Sequence, residues 1–111
     1  MTVLIVEPEK SPRTAEIDGS LESMQAVVGG YIQAVYPFDD EIALICNEEG
    51  KIMHLPFNRP LYLPETGVVY DIVVGTFFMC AAPSEDSSFG SLSEEQIGRC
   101  TRYLEGSGLD A

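Results

Sequence analysis

Clustered carboxylates are the side chains of this chain that could do chemistry by their type and spacing. Asp39, Asp40 and Glu41 flank one predicted turn, and Glu48 and Glu49 lie in the next. Such groups can bind a hard cation, but the sequence lacks the aspartate- and glycine-spaced loop of an EF-hand, and we expect no metal. A rigid row of carboxylates can instead imitate phosphates and occupy a basic nucleic-acid channel. The alternative is that these turns are acidic only because they face water.

Four further residues complete the set of candidate partner contacts. Phe38 and Phe57 lie next to polar turns, where an exposed aromatic side chain can anchor a protein interface. Asn58 and Arg59 lie in a proline-rich segment, and Arg59 is an unusual cation in so acidic a chain. One interpretation has Arg59 bind a carboxylate or a phosphate through two guanidinium nitrogens. The other has Arg59 tie its segment to a nearby acidic group.

The remaining reactive residue types do not form a catalytic set. His54 is the only histidine, and general acid–base catalysis requires an orienting carboxylate or a nucleophile within reach of it. Cys46, Cys80 and Cys100 lie in apolar contexts without a C-x-x-C pair, which is typical of reduced thiols in a core. Gly29-Gly30 follows a predicted helix, whereas a phosphate-binding loop opens one. We expect a protein that is not an enzyme and needs no cofactor.

The balance of acidic and basic residues indicates which classes of partner the protein can bind. Asp and Glu number 18 against 6 Lys and Arg, a net charge of -12 on 111 residues, while 45% of the residues are apolar. This combination predicts a folded acidic domain with a basic protein partner, and it opposes direct binding to nucleic acid or to an anionic membrane. No apolar run is long enough to span a bilayer, and the first residues lack the pattern of a signal peptide. We expect a cytoplasmic protein.

The hydrophobic pattern predicts the elements that position these residues. It indicates two short strands, a helix capped near Ser20 and ended by Gly29-Gly30, a group of strands, and a helix opened by a capping box at Ser93 and Gln96. The predicted bounds are strands at 2–7, 13–17, 31–36 and 41–47, an irregular or extended stretch at 51–55, an ordered loop at 56–67, and one or two strands at 68–80. We expect an α+β fold: one domain at 1–105, with a mainly antiparallel sheet and two short helices packed on one face of it. Residues 106–111 are expected to form a flexible tail.

Several stretches between Leu21 and Phe78 together resemble one known family. They are Leu21 to Gln25, Val28 to Gln33, Val35 to Phe38, Asn47 to Lys51, Leu55 to Arg59, and Tyr70 to Phe78. In combination they are similar to domain of unknown function 3846, encoded largely by phages, plasmids and conjugative elements of Gram-positive bacteria. The resemblance covers about four fifths of the chain if the first strand and the Ser93 helix are included. It implies a setting in mobile elements and no catalytic residues.

That setting, together with the charge, suggests a function. We expect an acidic interaction protein that inhibits a host nucleic-acid defence system, such as a CRISPR nuclease or its guide RNA loading. One alternative is a protein that binds or sequesters a nucleotide signal, for which Arg59, Arg99 and Arg102 must gather at one site. Another is a regulatory module of plasmid transfer.

Overall fold

The computed structural model describes residues 1–85 and 88–106 and contains two antiparallel sheets and two helices. The elements are β1 (Thr2–Val6), β2 (Arg13–Glu16), α1 (Leu21–Val28), β3 (Ile32–Val35), β4 (Ile42–Asn47), β5 (Phe57–Tyr62), β6 (Val69–Val74), β7 (Phe77–Ala81) and α2 (Glu94–Glu105). This is the expected α+β class. Of the expected tail, only Gly106 lies within the described residues, and it ends α2.

The main sheet has five strands in the order β2-β1-β7-β4-β3, and every neighbouring pair is antiparallel. Val6 lies opposite Phe77, so β7 starts beside the end of β1. Ile42 lies opposite Ala81, so β7 ends beside the start of β4. Because all pairs are antiparallel, the starts of β1 and β4 lie at the same end of the sheet as the ends of β2, β3 and β7. The opposite end carries the end of β1 and the turn that follows β4.

Both faces of this sheet are buried, so its central strands are continuous apolar runs. All residues of β4 and β7 are buried. Alternate residues point to opposite faces: Val3 and Ile5 pack with Met24 of α1, whereas Leu4 packs with Tyr103 of α2. The expectation that both helices lie on one face is therefore wrong. The sheet separates them because its central strands have apolar residues in both directions.

The second sheet is a hairpin of β5 and β6, and it corrects another expectation. The three prolines between residues 56 and 67 predicted a loop, yet residues 57–62 form a strand that contains Pro60. A proline is tolerated there because β5 pairs on one side only, with β6. Gly75, between β6 and β7, has φ of 76°, and Leu55 lies so close that a Cβ on Gly75 would meet its Cδ1 at 2.7 Å.

Both helices begin and end at the predicted residues. Ser20 accepts a hydrogen bond from the Ser23 amide at the start of α1, and Gly29 ends that helix with φ of 82°. The capping box at α2 is complete, because the Ser93 side chain accepts from the Gln96 amide and Gln96 accepts from the Ser93 amide. These local hydrogen bonds fix the residues at which the two helices begin.

Candidate functional site

The antiparallel register gathers carboxylates at one end of the main sheet. This end carries the starts of β1, β4 and α2 and the ends of β2, β3 and β7. The surface here called the acidic end comprises Glu16, Asp18, Asp39, Asp40, Glu41, Glu85, Glu94 and Glu95. Five strands at a spacing of about 4.8 Å make this end roughly 19 Å wide from β2 to β3.

The turn between β3 and β4 holds the first predicted group of carboxylates in a fixed arrangement. The Glu41 amide donates to Asp39 Oδ1 over 2.7 Å, and Arg99 of α2 lies 2.6 Å from Asp39 Oδ2. The Glu41 N–H, followed by Arg99, lowers the pKa of Asp39, so this group stays ionised at neutral pH. Asp40 is exposed. Asp39 therefore holds the turn in place, and Asp40 faces solvent.

Glu41 links this turn to the segment that follows β7. Its Oε2 atom accepts hydrogen bonds from both the amide and the hydroxyl of Ser84, each over 3.2 Å. This contact places exposed Glu85 beside the turn. The two carboxylates come from positions 44 residues apart, and no local pattern in the sequence joins them.

The other half of the acidic end lies where β2, β1 and α2 meet. Thr2 Oγ1 donates to Glu16 Oε2 over 2.5 Å, and the Leu92 amide donates to the Thr2 carbonyl. Glu16 and Glu94 consequently line one shallow depression. Glu94 and Glu95 occupy the first turn of α2, where a negative charge is favoured by the helix dipole. Their helix position explains why both charges are tolerated, and the fold places Glu94 beside Glu16.

The second predicted group of carboxylates lies elsewhere. Glu48 and Glu49 are exposed in the turn after β4, at the opposite end of that six-residue strand, about 20 Å away from Asp39. Lys10 and Arg13 belong to this opposite end as well and both pair with Glu7. Within the described part of the chain, Arg99 is the only Lys or Arg that forms an ion pair with a carboxylate of the acidic end. The structure thus separates the two predicted groups.

The two aromatic candidates occupy different environments. Phe38 is half-buried, stacks on Tyr103 with ring centroids 4.8 Å apart, and has the Arg99 guanidinium 5.7 Å from its ring centre. These contacts brace the β3–β4 turn against α2. Phe57 is 45% exposed at the start of β5, opposite Val74, and is not part of the acidic end.

Asn58 and Arg59 join the β5–β6 hairpin to the main sheet. Asn58 is only 1% exposed, and its Nδ2 donates to the carbonyls of Val6 and Gly75 over 2.9 and 2.8 Å. Arg59 Nη1 donates to Asn58 Oδ1, and Nη2 donates to the Lys10 carbonyl over 2.8 Å. Arg59 therefore ties its segment to carbonyl oxygens. The second interpretation of the sequence, in which Arg59 holds its segment in place, expected an acidic group as the acceptor. Burial keeps the Asn58 amide away from any direct contact with a partner.

The three arginines named for a nucleotide site do not all gather at one place. Arg59 lines an open depression together with Lys10, Glu9 and Glu105. Arg99 and Arg102 line a different one, beside Tyr62 and Phe38. The first depression carries as many carboxylates as cations, which gives it no net charge for an anionic ligand.

The histidine and the three cysteines occupy different environments. His54 is exposed in a turn with φ of 58°. The three cysteines are buried, and burial raises the pKa of both Cys80 and Cys100 to about 12, so their thiols stay protonated and unreactive. Within residues 1–85 and 88–106, no group of three His, Cys, Asp or Glu could hold a metal ion. Over the same residues, neither helix has the length and apolarity needed to cross a membrane.

Sequence reasoning identified three residues of the acidic end and missed five. Asp39, Asp40 and Glu41 are predicted from their turn, whereas the other five lie in separate segments of the chain that no sequence pattern joins to that turn. The missed residues are Glu16, Asp18, Glu85, Glu94 and Glu95. The strand order and register would have found them, because both are needed to know which turns share one end of a sheet.

Fold and surface together define a small α+β domain with charge concentrated at one end of its sheet. The chain matches the family model described as a domain of unknown function (DUF3846) over residues 1–105. It belongs to this family, and the resemblance predicted from the sequence is confirmed. Searches of curated proteins and of solved structures found no match.

Proposed function

We propose that this protein is an acidic inhibitor that binds the nucleic-acid channel of a basic protein through its acidic end. The observation that carries the proposal is the convergence of carboxylates from four separate parts of the chain at one end of a rigid sheet. Fixed negative charges compete well for a basic channel, because no conformational order has to be gained at the moment of binding. The protein then acts by occupying the channel and not by catalysis.

The arrangement of cations supports this surface over others. Arg99 pairs with Asp39, and the Met1 ammonium lies 3.7 Å from Glu16 Oε1, so these two cations are already committed to carboxylates of the acidic end. The opposite end mixes Glu48 and Glu49 with Lys10 and Arg13. A basic partner is therefore attracted most strongly to the acidic end, and the whole-chain charge of -12 accelerates the encounter.

We further propose that the partner is a host defence nuclease, with a guide-loaded CRISPR nuclease as the first candidate. The reasoning rests on the setting in mobile elements that the family resemblance implies and on the chemistry of the partner. Such nucleases hold their nucleic acid in a positively charged channel that reads the backbone. A row of carboxylates about 19 Å wide resembles a short stretch of that backbone in charge and rigidity.

The test is inhibition of DNA cleavage by a purified, guide-loaded CRISPR nuclease, measured at low and high salt. A variant with Asp40→Lys and Glu95→Lys reverses two exposed charges of the acidic end that hold no other residue in place. We expect its inhibition constant to rise by roughly tenfold or more, because oppositely charged contacts become repulsive. We also expect inhibition by the wild-type protein to weaken as salt screens the charges.

A matched control separates the surface from the net charge. The variant with Glu48→Lys and Glu49→Lys changes the net charge by the same amount at the opposite end of the sheet. It should inhibit nearly as well as the wild-type protein. Asp39 and Glu41 are left intact in both variants because they bind Arg99 and Ser84, and their loss would disturb the fold. Equal loss of inhibition in both variants, or no inhibition by the wild type, contradicts the proposal.

A further inference from the structure

The outer edge of β6 is an exposed apolar strand without a partner among the described residues. β6 pairs with β5 on one side only, and the two form a separate sheet. Residues 68–74 read Val-Val-Tyr-Asp-Ile-Val-Val, and Val69, Tyr70 and Ile72 are exposed. Ile52 lines the same cleft as Ile72 and is 78% exposed. We call these four exposed side chains, with the free side of β6, the β6 edge.

The β6 edge differs from the rest of the protein in charge. Asp71 is the one charged residue of the strand, and Lys51 neutralises it over 2.6 Å. Asp71 Oδ1 also accepts the Ile72 N–H over 2.8 Å. The cleft beside the strand is lined by one further charged residue, Glu48. A chain with a net charge of -12 thus has one apolar surface where a like-charged molecule meets little repulsion.

The amount of exposed apolar surface suits an interface. Half-exposed side chains of this number and size leave on the order of 500 Å² open to water, near the upper limit for a monomer that binds nothing there. One side of a standard interface covers about 800 Å². The exposed Val68 and Phe57, next to the β6 edge, supply further apolar contact. With these two side chains the exposed apolar area approaches that of one side of a standard interface.

The composition of β6 favours a second copy of the chain as the molecule that binds the β6 edge. A seven-residue segment of high β propensity, without proline and almost without charge, pairs readily with an identical segment. Two β6 strands that pair around a twofold axis form a four-stranded sheet in the order β5-β6-β6-β5. Pro60 lies in each outer strand and lacks an N–H to donate, which discourages further strands from adding. The pairing consequently closes as a dimer and does not continue as a fibre.

We propose that two copies of this protein associate through their β6 edges into a symmetric dimer. This inference is independent of the proposed function, because the β6 edge shares no residue with the acidic end. The dimer buries Val69, Tyr70 and Ile72 of each copy against those of its partner. Its stability increases with salt, since screening weakens the repulsion between two chains of charge -12.

Sedimentation equilibrium of the wild-type chain and two variants tests the proposal. Val69→Lys places a charge in the β6 edge of each copy, and it should raise the dimer dissociation constant by roughly tenfold or more. Leu21→Lys is the matched control, because Leu21 and Val69 are both 54% exposed and Leu21 lies in α1, across the main sheet. It should leave the dissociation constant within about twofold of the wild-type value.

A second measurement does not depend on whether a variant folds. Amide hydrogen exchange of residues 69–74 in the wild-type chain should slow as the protein concentration rises, while exchange in α1 stays constant. A wild-type chain that remains monomeric at all concentrations overturns the proposal and leaves the β6 edge to a different kind of partner. Equal effects of Val69→Lys and Leu21→Lys overturn it too, as does a dimer that dissociates when salt is added.

Discussion

Replacement of Asn58 by alanine should destabilise the protein more than the removal of a surface amide could. Asn58 sits between the two sheets and makes three hydrogen bonds: Nδ2 donates to the carbonyls of Val6 and Gly75, and Oδ1 accepts from Arg59. Val6 and Gly75 are buried, so water cannot replace the lost donor at their carbonyls without opening the structure. The substitution therefore breaks the polar connection between the β5–β6 hairpin and the main sheet.

The expected magnitude follows from these contacts. Three hydrogen bonds contribute about 1 kcal/mol each, and two buried carbonyls left without a donor add to the loss. We expect the free energy of unfolding to fall by about 3–5 kcal/mol, out of a total of about 5–15 kcal/mol for a domain. With a urea dependence of about 2 kcal/mol per molar, the unfolding midpoint shifts by roughly 2 M.

Urea unfolding followed by circular dichroism measures this shift. Gln33→Ala, at an exposed position of β3, is the control and should change stability by no more than about 0.5 kcal/mol. Asn58→Asp is a sharper probe, since the new carboxylate oxygen would face the carbonyls of Val6 and Gly75. We expect a larger loss than with alanine at neutral pH and partial recovery in acid, where the carboxyl group regains a proton to donate. A loss below about 1 kcal/mol for Asn58→Ala would refute the reasoning.

Three further predictions follow from the backbone, the thiols and the turn. Gly75→Ala should destabilise by more than Gly67→Ala: both residues have φ of 76°, for which alanine costs about 1–2 kcal/mol, but a Cβ meets a side chain at 2.7 Å only at Gly75. Cys80 and Cys100, whose pKa values are raised to about 12 by burial, should resist alkylation at neutral pH until urea unfolds the chain, as mass spectrometry would reveal. Because the pKa of Asp39 is lowered in the folded state from an ordinary 3.8, its carboxylate stabilises the fold above about pH 4 and this stabilisation is lost as pH falls further. Asp39→Asn should therefore reduce stability at neutral pH and have progressively less effect in acid, as urea unfolding over a pH series would measure.

Local signals in the sequence predicted the helices and the central strands well. Ser20 and Ser93 specify helix starts through side-chain hydrogen bonds to amides three residues away, so a short stretch contains all the information. β4 was equally clear because a continuous apolar run indicates a strand buried on both faces.

The β5 strand and the acidic end could not be predicted in the same way. Pro56, Pro60 and Pro64 argue against a strand unless the pairing is known to be one-sided, and that fact depends on the distant β6. The face of the main sheet on which each helix packs could not be predicted for a similar reason. The apolar residues of α1 and α2 show that each helix packs on a sheet, but they do not show on which face. The contact between Glu41 and Ser84 is likewise visible only once β4 and β7 are paired.

The dependence on salt concentration distinguishes the two proposed associations, binding to a basic channel and dimerisation, because they depend on opposite electrostatic effects. Binding of a basic channel by the acidic end relies on attraction between unlike charges, so it weakens as ionic strength rises. Pairing of two β6 edges brings together chains that each carry a charge of -12 through a surface where Lys51 cancels Asp71, so it strengthens under the same change. Inhibition and self-association measured across one salt series should therefore change in opposite directions. If both fell together, the same charges would be responsible for both, and the assignment of two separate surfaces would be wrong.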